Sequence, residues 1–101
     1  MALTSKQRAY LRGLGSQIDP LVQIGKDGIT DSVVQSTLEA LKTHELVKCK
    51  VLESALLTAR EACDELSAAC KADPVQVIGT KFVLYKVNGK EAKIQLPKSK
   101  K

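Results

Sequence analysis

The chain has 101 residues, 44% of them hydrophobic, which suits one compact domain around a single core. Aromatic residues make up only 3% (Tyr10, Phe82 and Tyr85), so the core must be largely aliphatic and an aromatic base-stacking platform is excluded. A net charge of +5 favours an anionic partner, and no apolar run approaches the length that crosses a bilayer.

In chain order, Thr4-Ser5-Lys6-Gln7 reads as a capping box that opens a first helix. Tyr10, Leu11 and Leu14 form its apolar side, and Gly13 and Gly15 are expected to end it. Arg8 and Arg12 are four apart and share one helical face. Pro20 introduces a first strand over Leu21–Ile24. The second helix is predicted over Asp31–Thr43 with Thr30 as its cap, its buried stripe being Val33, Val34, Thr37, Leu38 and Leu41. Leu46–Val51 alternates like a strand, with Val47, Cys49 and Val51 on one face and Lys48 and Lys50 on the other. Thr58-Ala59-Arg60-Glu61 is a second capping box and opens a third helix to about Ala72, which Pro74 should end. Val75–Ile78 and Phe82–Val87 read as two further strands. Asn88-Gly89 is a hairpin signal that would turn the chain back through Ala92–Leu96 as a short edge strand.

This αβαβαββ order predicts an α/β domain with a four-stranded mixed sheet and helices packed mainly on one face. The open face would carry Gln23, Lys48, Lys50 and Gln76.

Charge is unevenly spread. The third helix and its flanks carry Glu53, Glu61, Asp64, Glu65 and Asp73 against Arg60 and Lys71, whereas residues 81–101 hold seven lysines and a single Glu91. Three cysteines (Cys49, Cys63 and Cys70), with nothing resembling a signal peptide, point to free thiols in a reducing cytoplasm. Cys63 and Cys70 are separated by about 10.5 Å of helical rise, too far to bridge, and lie on the apolar stripe. With His44 as the only histidine and no Cys-x-x-Cys, no metal site is expected, nor any cofactor. His44 follows the second helix and is read as a cap for its last carbonyls. No catalytic set is visible, so the expectation is a protein that is not an enzyme.

The stretch Gly25-Lys26-Asp27-Gly28 lies between an apolar strand and a helix start. Glycines at both ends allow a bulky anion to approach the backbone, Lys26 adds a full charge, and the helix dipole adds a partial one. It lacks the length and the Lys-Ser/Thr ending of a nucleoside-triphosphate loop. A Gly-x-x-Gly turn that clamps nucleic-acid backbone is a known device, but the same tetrapeptide is equally an ordinary strand-to-helix turn.

Taken in order, several blocks resemble the CRM domain (chloroplast RNA splicing and ribosome maturation) in its stand-alone, YhbY-like bacterial form. They are Leu3-Thr4-Ser5-Lys6-Gln7-Arg8 with Leu11-Arg12-Gly13-Leu14, then Pro20-Leu21-Val22-Gln23-Ile24-Gly25-Lys26-Asp27-Gly28. His44-Glu45-Leu46-Val47-Lys48-Cys49-Lys50-Val51, Val75-Gln76-Val77-Ile78-Gly79, Val83-Leu84-Tyr85-Lys86 and Ile94-Gln95-Leu96-Pro97 complete the set. The resemblance implies a domain over residues 1–97 with a basic tail at 98–101, and a fold like the C-terminal domain of translation initiation factor 3. It also implies non-catalytic RNA binding, association with ribosomal RNA in precursors of the large ribosomal subunit, and an RNA contact at Gly25 to Gly28.

The candidate RNA-binding residues are therefore Gly25, Lys26, Asp27, Gly28, Arg8, Arg12, Lys48, Lys50 and Lys81. If the basic members converge, binding should follow RNA shape and backbone rather than base sequence. A cytoplasmic monomer without membrane or small-molecule partners is expected. The alternative is a ribosome assembly adaptor that binds protein through the acidic third helix.

Overall fold

The computed structural model describes residues 5–86. In chain order the elements are α1 (Ser5–Gly15), β1 (Val22–Ile24), α2 (Asp31–His44), β2 (Leu46–Val51), α3 (Ala59–Cys70), β3 (Asp73–Ile78) and β4 (Lys81–Tyr85). The four strands form one mixed sheet in the order β1-β2-β4-β3. β1 and β2 are parallel, and β4 runs antiparallel to both β2 and β3.

Local chemistry accounts for the helix ends. The Thr30 hydroxyl accepts the Val33 N–H at 3.2 Å and opens α2. At α3 the capping box is complete: Thr58 N–H donates to Glu61 Oε1 at 3.0 Å and Glu61 N–H to Thr58 Oγ1 at 3.1 Å. α2 and α3 end on left-handed residues that are not glycine, Glu45 (φ 64) and Lys71 (φ 56). Glu45 N–H reaches back to the Leu41 carbonyl at 2.8 Å. His44 is therefore the last residue of α2 itself, and Glu45 makes the cap.

Pro74 does not end α3. The helix stops at Cys70, the Ala72 N–H closes onto the Ser67 carbonyl at 2.9 Å, and Pro74 already lies in β3, paired with Leu84. An edge strand tolerates a residue without an N–H, and β3 is such an edge. The register then slips between Pro74 and Gln76, leaving Val75 bulged. Similarly, Gly13 lies inside α1 rather than at its end.

The sheet separates two apolar clusters. On one face Val47, Cys49, Val51, Phe82 and Leu84 pack against α2 and α3 through Leu41, Ala62, Cys63, Leu66 and Cys70. On the other, Leu46, Val75, Val83 and Tyr85 pack against Leu11 and Leu14 of α1, with Ile18. Two helices thus cover one face, as expected, while α1 covers part of the face expected to be open. The reason is legible in β4: Phe82-Val83-Leu84-Tyr85 is buried at every position, and a strand apolar on both sides needs cover on both.

The strand suggested at Ala92–Leu96, its hairpin turn and the cap at Thr4 lie outside the described residues. β4 is hydrogen-bonded to β2 on one side and to β3 on the other over Lys81–Tyr85, so neither of its edges is open to a hairpin partner there.

All three cysteines are buried free thiols. Burial pushes the Cys49 thiol up to about 12, with smaller contributions from Cys63 and Cys70. Cys63 rises to about 11 by burial, aided by Asp64, and burial also raises Cys70. Thiols that resist ionisation are poor nucleophiles and poor metal ligands, so these act as small apolar core residues.

Candidate functional site

β1 runs up to the Gly25–Gly28 loop, and β2 runs parallel beside it. The C-terminal ends of β1, β2 and β3 and the N-terminal end of β4 therefore lie at one end of the sheet, which brings Lys50 and Lys81 to the end that carries the loop.

The loop is a tight turn closed by the Gly28 N–H donating to the Gly25 carbonyl at 3.0 Å, with Lys26 and Asp27 exposed at its tip. Only one of its glycines is demanded by backbone conformation. Gly28 has φ +71, where a side chain is strained, whereas a Cβ at Gly25 would meet Ser54 Oγ and Leu52 Cδ1 at 3.8 and 3.9 Å, ordinary contact distances. The turn leans on the segment after β2: a Cβ at Gly28 would lie 3.7 Å from Leu57, and Leu52 N–H donates to the Ile24 carbonyl at 2.9 Å. Two expected sources of anion attraction are reduced here. The Gly28 N–H is spent inside the turn, and Asp31 in the first turn of α2 already answers that helix dipole. Lys26 is the loop's remaining asset.

The sheet supplies more charge. Lys48 and Lys50 of β2 alternate with the core residues Val47, Cys49 and Val51, so both point away from α2 and α3. In register, Lys48 faces Val83 and Lys50 faces Lys81 across the β2–β4 pair. Lys81 precedes Phe82, which is in the helix-covered core, so Lys81 and Lys50 share the opposite face. Two like charges directly across an antiparallel pair destabilise it, by roughly 0.2–1 kcal/mol. Gln23 of β1, beside Lys50, and Gln76 of β3, beside Val83, extend the polar strip to both edges.

The two arginines of α1 separate. Arg8 is drawn to the β3 edge, where Nη1 donates to the Pro74 carbonyl at 2.9 Å and helps hold α1 on the sheet. Arg12 is exposed, one turn before Ser16. The structure therefore brings together Lys48, Lys50 and Lys81 on one face, sets Lys26 at the end of the sheet that Lys50 and Lys81 share, and gives Arg8 a structural bond.

Reading the sequence alone missed what lies between those lysines. The end of α1 stops short of the upper sheet and leaves a cleft of about 230 Å³ lined by Gly15, Ser16, Lys48, Gln76, Ile78, Lys81, Val83 and Phe82, the last with its side chain in the core of the other face. Gly15 permits the close approach that forms its lower wall, since a Cβ there would lie 3.1 Å from Val83 Cγ2. Ile78 is 62% exposed although it belongs to a strand. That isolated apolar residue on an otherwise polar strip was the one signal the sequence carried.

Comparison with known proteins sets this geometry in context. Residues 3–86 match the CRS1 / YhbY (CRM) domain. The chain is 34% identical over 95 residues to the Probable RNA-binding protein YqeI of Bacillus subtilis, covering 94% of this chain and 99% of that one. It is 38% identical over 96 residues to a protein of Haemophilus influenzae named RNA-binding protein, covering 95% and 96% of the two chains. The solution structure of SAV1595 from Staphylococcus aureus superposes with a TM-score of 0.80 at 38% identity, over 95% of this chain and all of that one.

Proposed function

The chain belongs to the CRS1 / YhbY (CRM) family, and on that premise we propose that it is a non-catalytic RNA-binding protein that contacts RNA through its open sheet face and the Gly25–Gly28 loop. The observation that carries this reading is the directly opposed pair Lys50 and Lys81, half-buried and exposed respectively, with the half-buried Lys48 beside them at the end of α1. A fold keeps such a repulsive arrangement at a small cost in stability, and a polyanion laid across it removes that cost. Relatives named as RNA-binding proteins support the choice of RNA as that polyanion.

The target we propose is ribosomal RNA in precursors of the large ribosomal subunit, bound by a cytoplasmic monomer that assists assembly. Contacts made by lysines on a flat face position RNA backbone, and the absence of an aromatic side chain among the strip's residues favours folded RNA over a short sequence motif. The domain is taken to extend over residues 1–97 with 98–101 as a basic tail.

The test is affinity for folded ribosomal RNA fragments against salt. The logarithm of the association constant should fall linearly with that of salt, by about 0.7–0.9 for each phosphate neutralised, and the total slope should correspond to several phosphates. Lys26→Glu combined with Asp27→Gly should weaken binding at low salt and leave the melting temperature in place. A flat salt response, or RNA binding that these loop changes leave alone, would refute the assigned surface.

A further inference from the structure

We propose that the cleft at the end of α1 receives one unstacked nucleotide of a folded RNA, its base resting on the exposed side chain of Ile78 and its flanking phosphates held by Lys48 and Lys81. This deepens the RNA-binding reading and rests on it.

The cleft has a floor, two walls and a charged rim. Val83 lies at the bottom, flanked in register by Lys48 on one side and Gln76 on the other. One step towards the loop, Lys81 is flanked by Lys50 and by the exposed Ile78. Gly15 and Ser16 close the lower end. An anion is called for by the lysines, and an apolar contact by the exposed Ile78 beside them. A nucleotide supplies both, whereas free phosphate would leave Ile78 in water and an apolar ligand would leave the lysines unanswered.

Size points the same way. At about 230 Å³ the cleft falls below the roughly 300–1,000 Å³ typical of pockets that enclose a whole small-molecule ligand. It is open on the sheet side and suits a single base turned out of a strand, not a free dinucleotide or cofactor.

Polar groups are placed to hold such a base. The Gln76 amide offers a donor and an acceptor side by side, the pair that matches the edge of a nucleobase. Ser16 Oγ donates to the Gly13 carbonyl at 2.8 Å, so towards a ligand it can serve as an acceptor. A bulge or loop nucleotide costs less to unstack than a paired one, so the occupant comes from an interruption in a helix.

Two hairpin RNAs that differ only in one bulged nucleotide test this, with 2-aminopurine at the bulge. The expected result is binding about tenfold tighter to the bulged hairpin, with brightening of the probe as it leaves the stack. Gln76→Ala and, separately, Ile78→Thr should bring that ratio near one, while Lys26→Glu should lower both affinities and keep the ratio. Each of these side chains is at least partly exposed, and circular dichroism checks that each variant is folded. Equal affinity of the unaltered protein for the two hairpins overturns the cleft assignment but leaves RNA binding standing. A bulge preference that survives both cleft variants also overturns it. Failure to bind either hairpin at low salt overturns the RNA-binding reading itself.

Discussion

The two faces of the sheet are built from the same strands but answer to different demands. The face under α2 and α3 takes Val47, Cys49 and Val51 from β2 and Phe82 and Leu84 from β4, all buried, and even its three cysteines serve as apolar filler. The face under α1 takes the alternate residues and is divided across its middle. Its lower end, Leu46, Val75 and Tyr85, is covered by α1, its upper end pairs Lys50 with Lys81, and the row between them pairs the buried Val83 with the half-buried Lys48. One helix of 11 residues thus finishes a core and exposes a charged strip by where it ends. On the proposed RNA contact, stability and recognition separate by face, and in part by row along one face.

The largest break in that comparison should come from the helix-covered face. Leu66 is fully buried in the main cluster, and Leu66→Ala should cost about 2–5 kcal/mol by leaving a cavity. Urea denaturation measures this, and an unchanged midpoint would mean that Leu66 is not packed as described. At temperatures where the variant remains folded, its affinity for RNA should stay close to that of the parent.

The converse experiment acts on the open half. Lys48→Glu with Lys81→Glu should lower RNA affinity by at least about tenfold at low salt and flatten the logarithmic salt slope by about 1.4–1.8, the equivalent of roughly two phosphates. The domain should remain folded, because neither side chain belongs to a buried cluster and Glu at 81 would face Lys50 with opposite charge. Loss of folding in this variant would show that the strip belongs to the core after all.

Alkaline pH should act most on the face under α2 and α3, with a further contribution from Tyr85 under α1, whose phenol is also raised by burial. The Cys49 thiol is held up to about 12 in the folded protein by burial, above the unfolded value of 9.0. Between those values the unfolded chain releases a proton that the folded one keeps, so stability is full below about pH 9 and declines as pH rises towards 12. Cys63, raised to about 11, adds to the decline over the lower part of that window. Cys49→Val should reduce the slope of unfolding free energy against pH measured from about pH 8 to 11. An unaltered slope would assign the effect elsewhere.

The smallest expected effect is a gain. Lys81→Gln removes the repulsion across from Lys50 and should stabilise the domain by roughly 0.2–1 kcal/mol while weakening RNA binding. A variant that loses stability would indicate that the pair is not repulsive in the folded protein.

Much of this fold is written locally and can be read locally. Thr30, Thr58 and Glu61 announce their helices because a cap is decided by residues within one turn, and β2 shows its two faces because alternation is a property of the strand alone. The Gly25–Gly28 turn is legible for the same reason, as is the family, whose motifs lie in order along the chain. The insertion of β4 between β2 and β3 depends on contacts far apart in sequence, and no local pattern encodes it. Placement of α1 on the second face has a local signal in the unbroken apolar run Phe82-Val83-Leu84-Tyr85, which the polar residues of the neighbouring strands outweighed in the expectation of an open face. The stop of α3 at Cys70 and the bulge at Val75 were settled by the demand that β3 pair with β4, against the local signal of Pro74. The cleft between Ser16, Lys48, Gln76 and Lys81 draws on α1, β2, β3 and β4 at once, so its existence was decided entirely by how those elements pack.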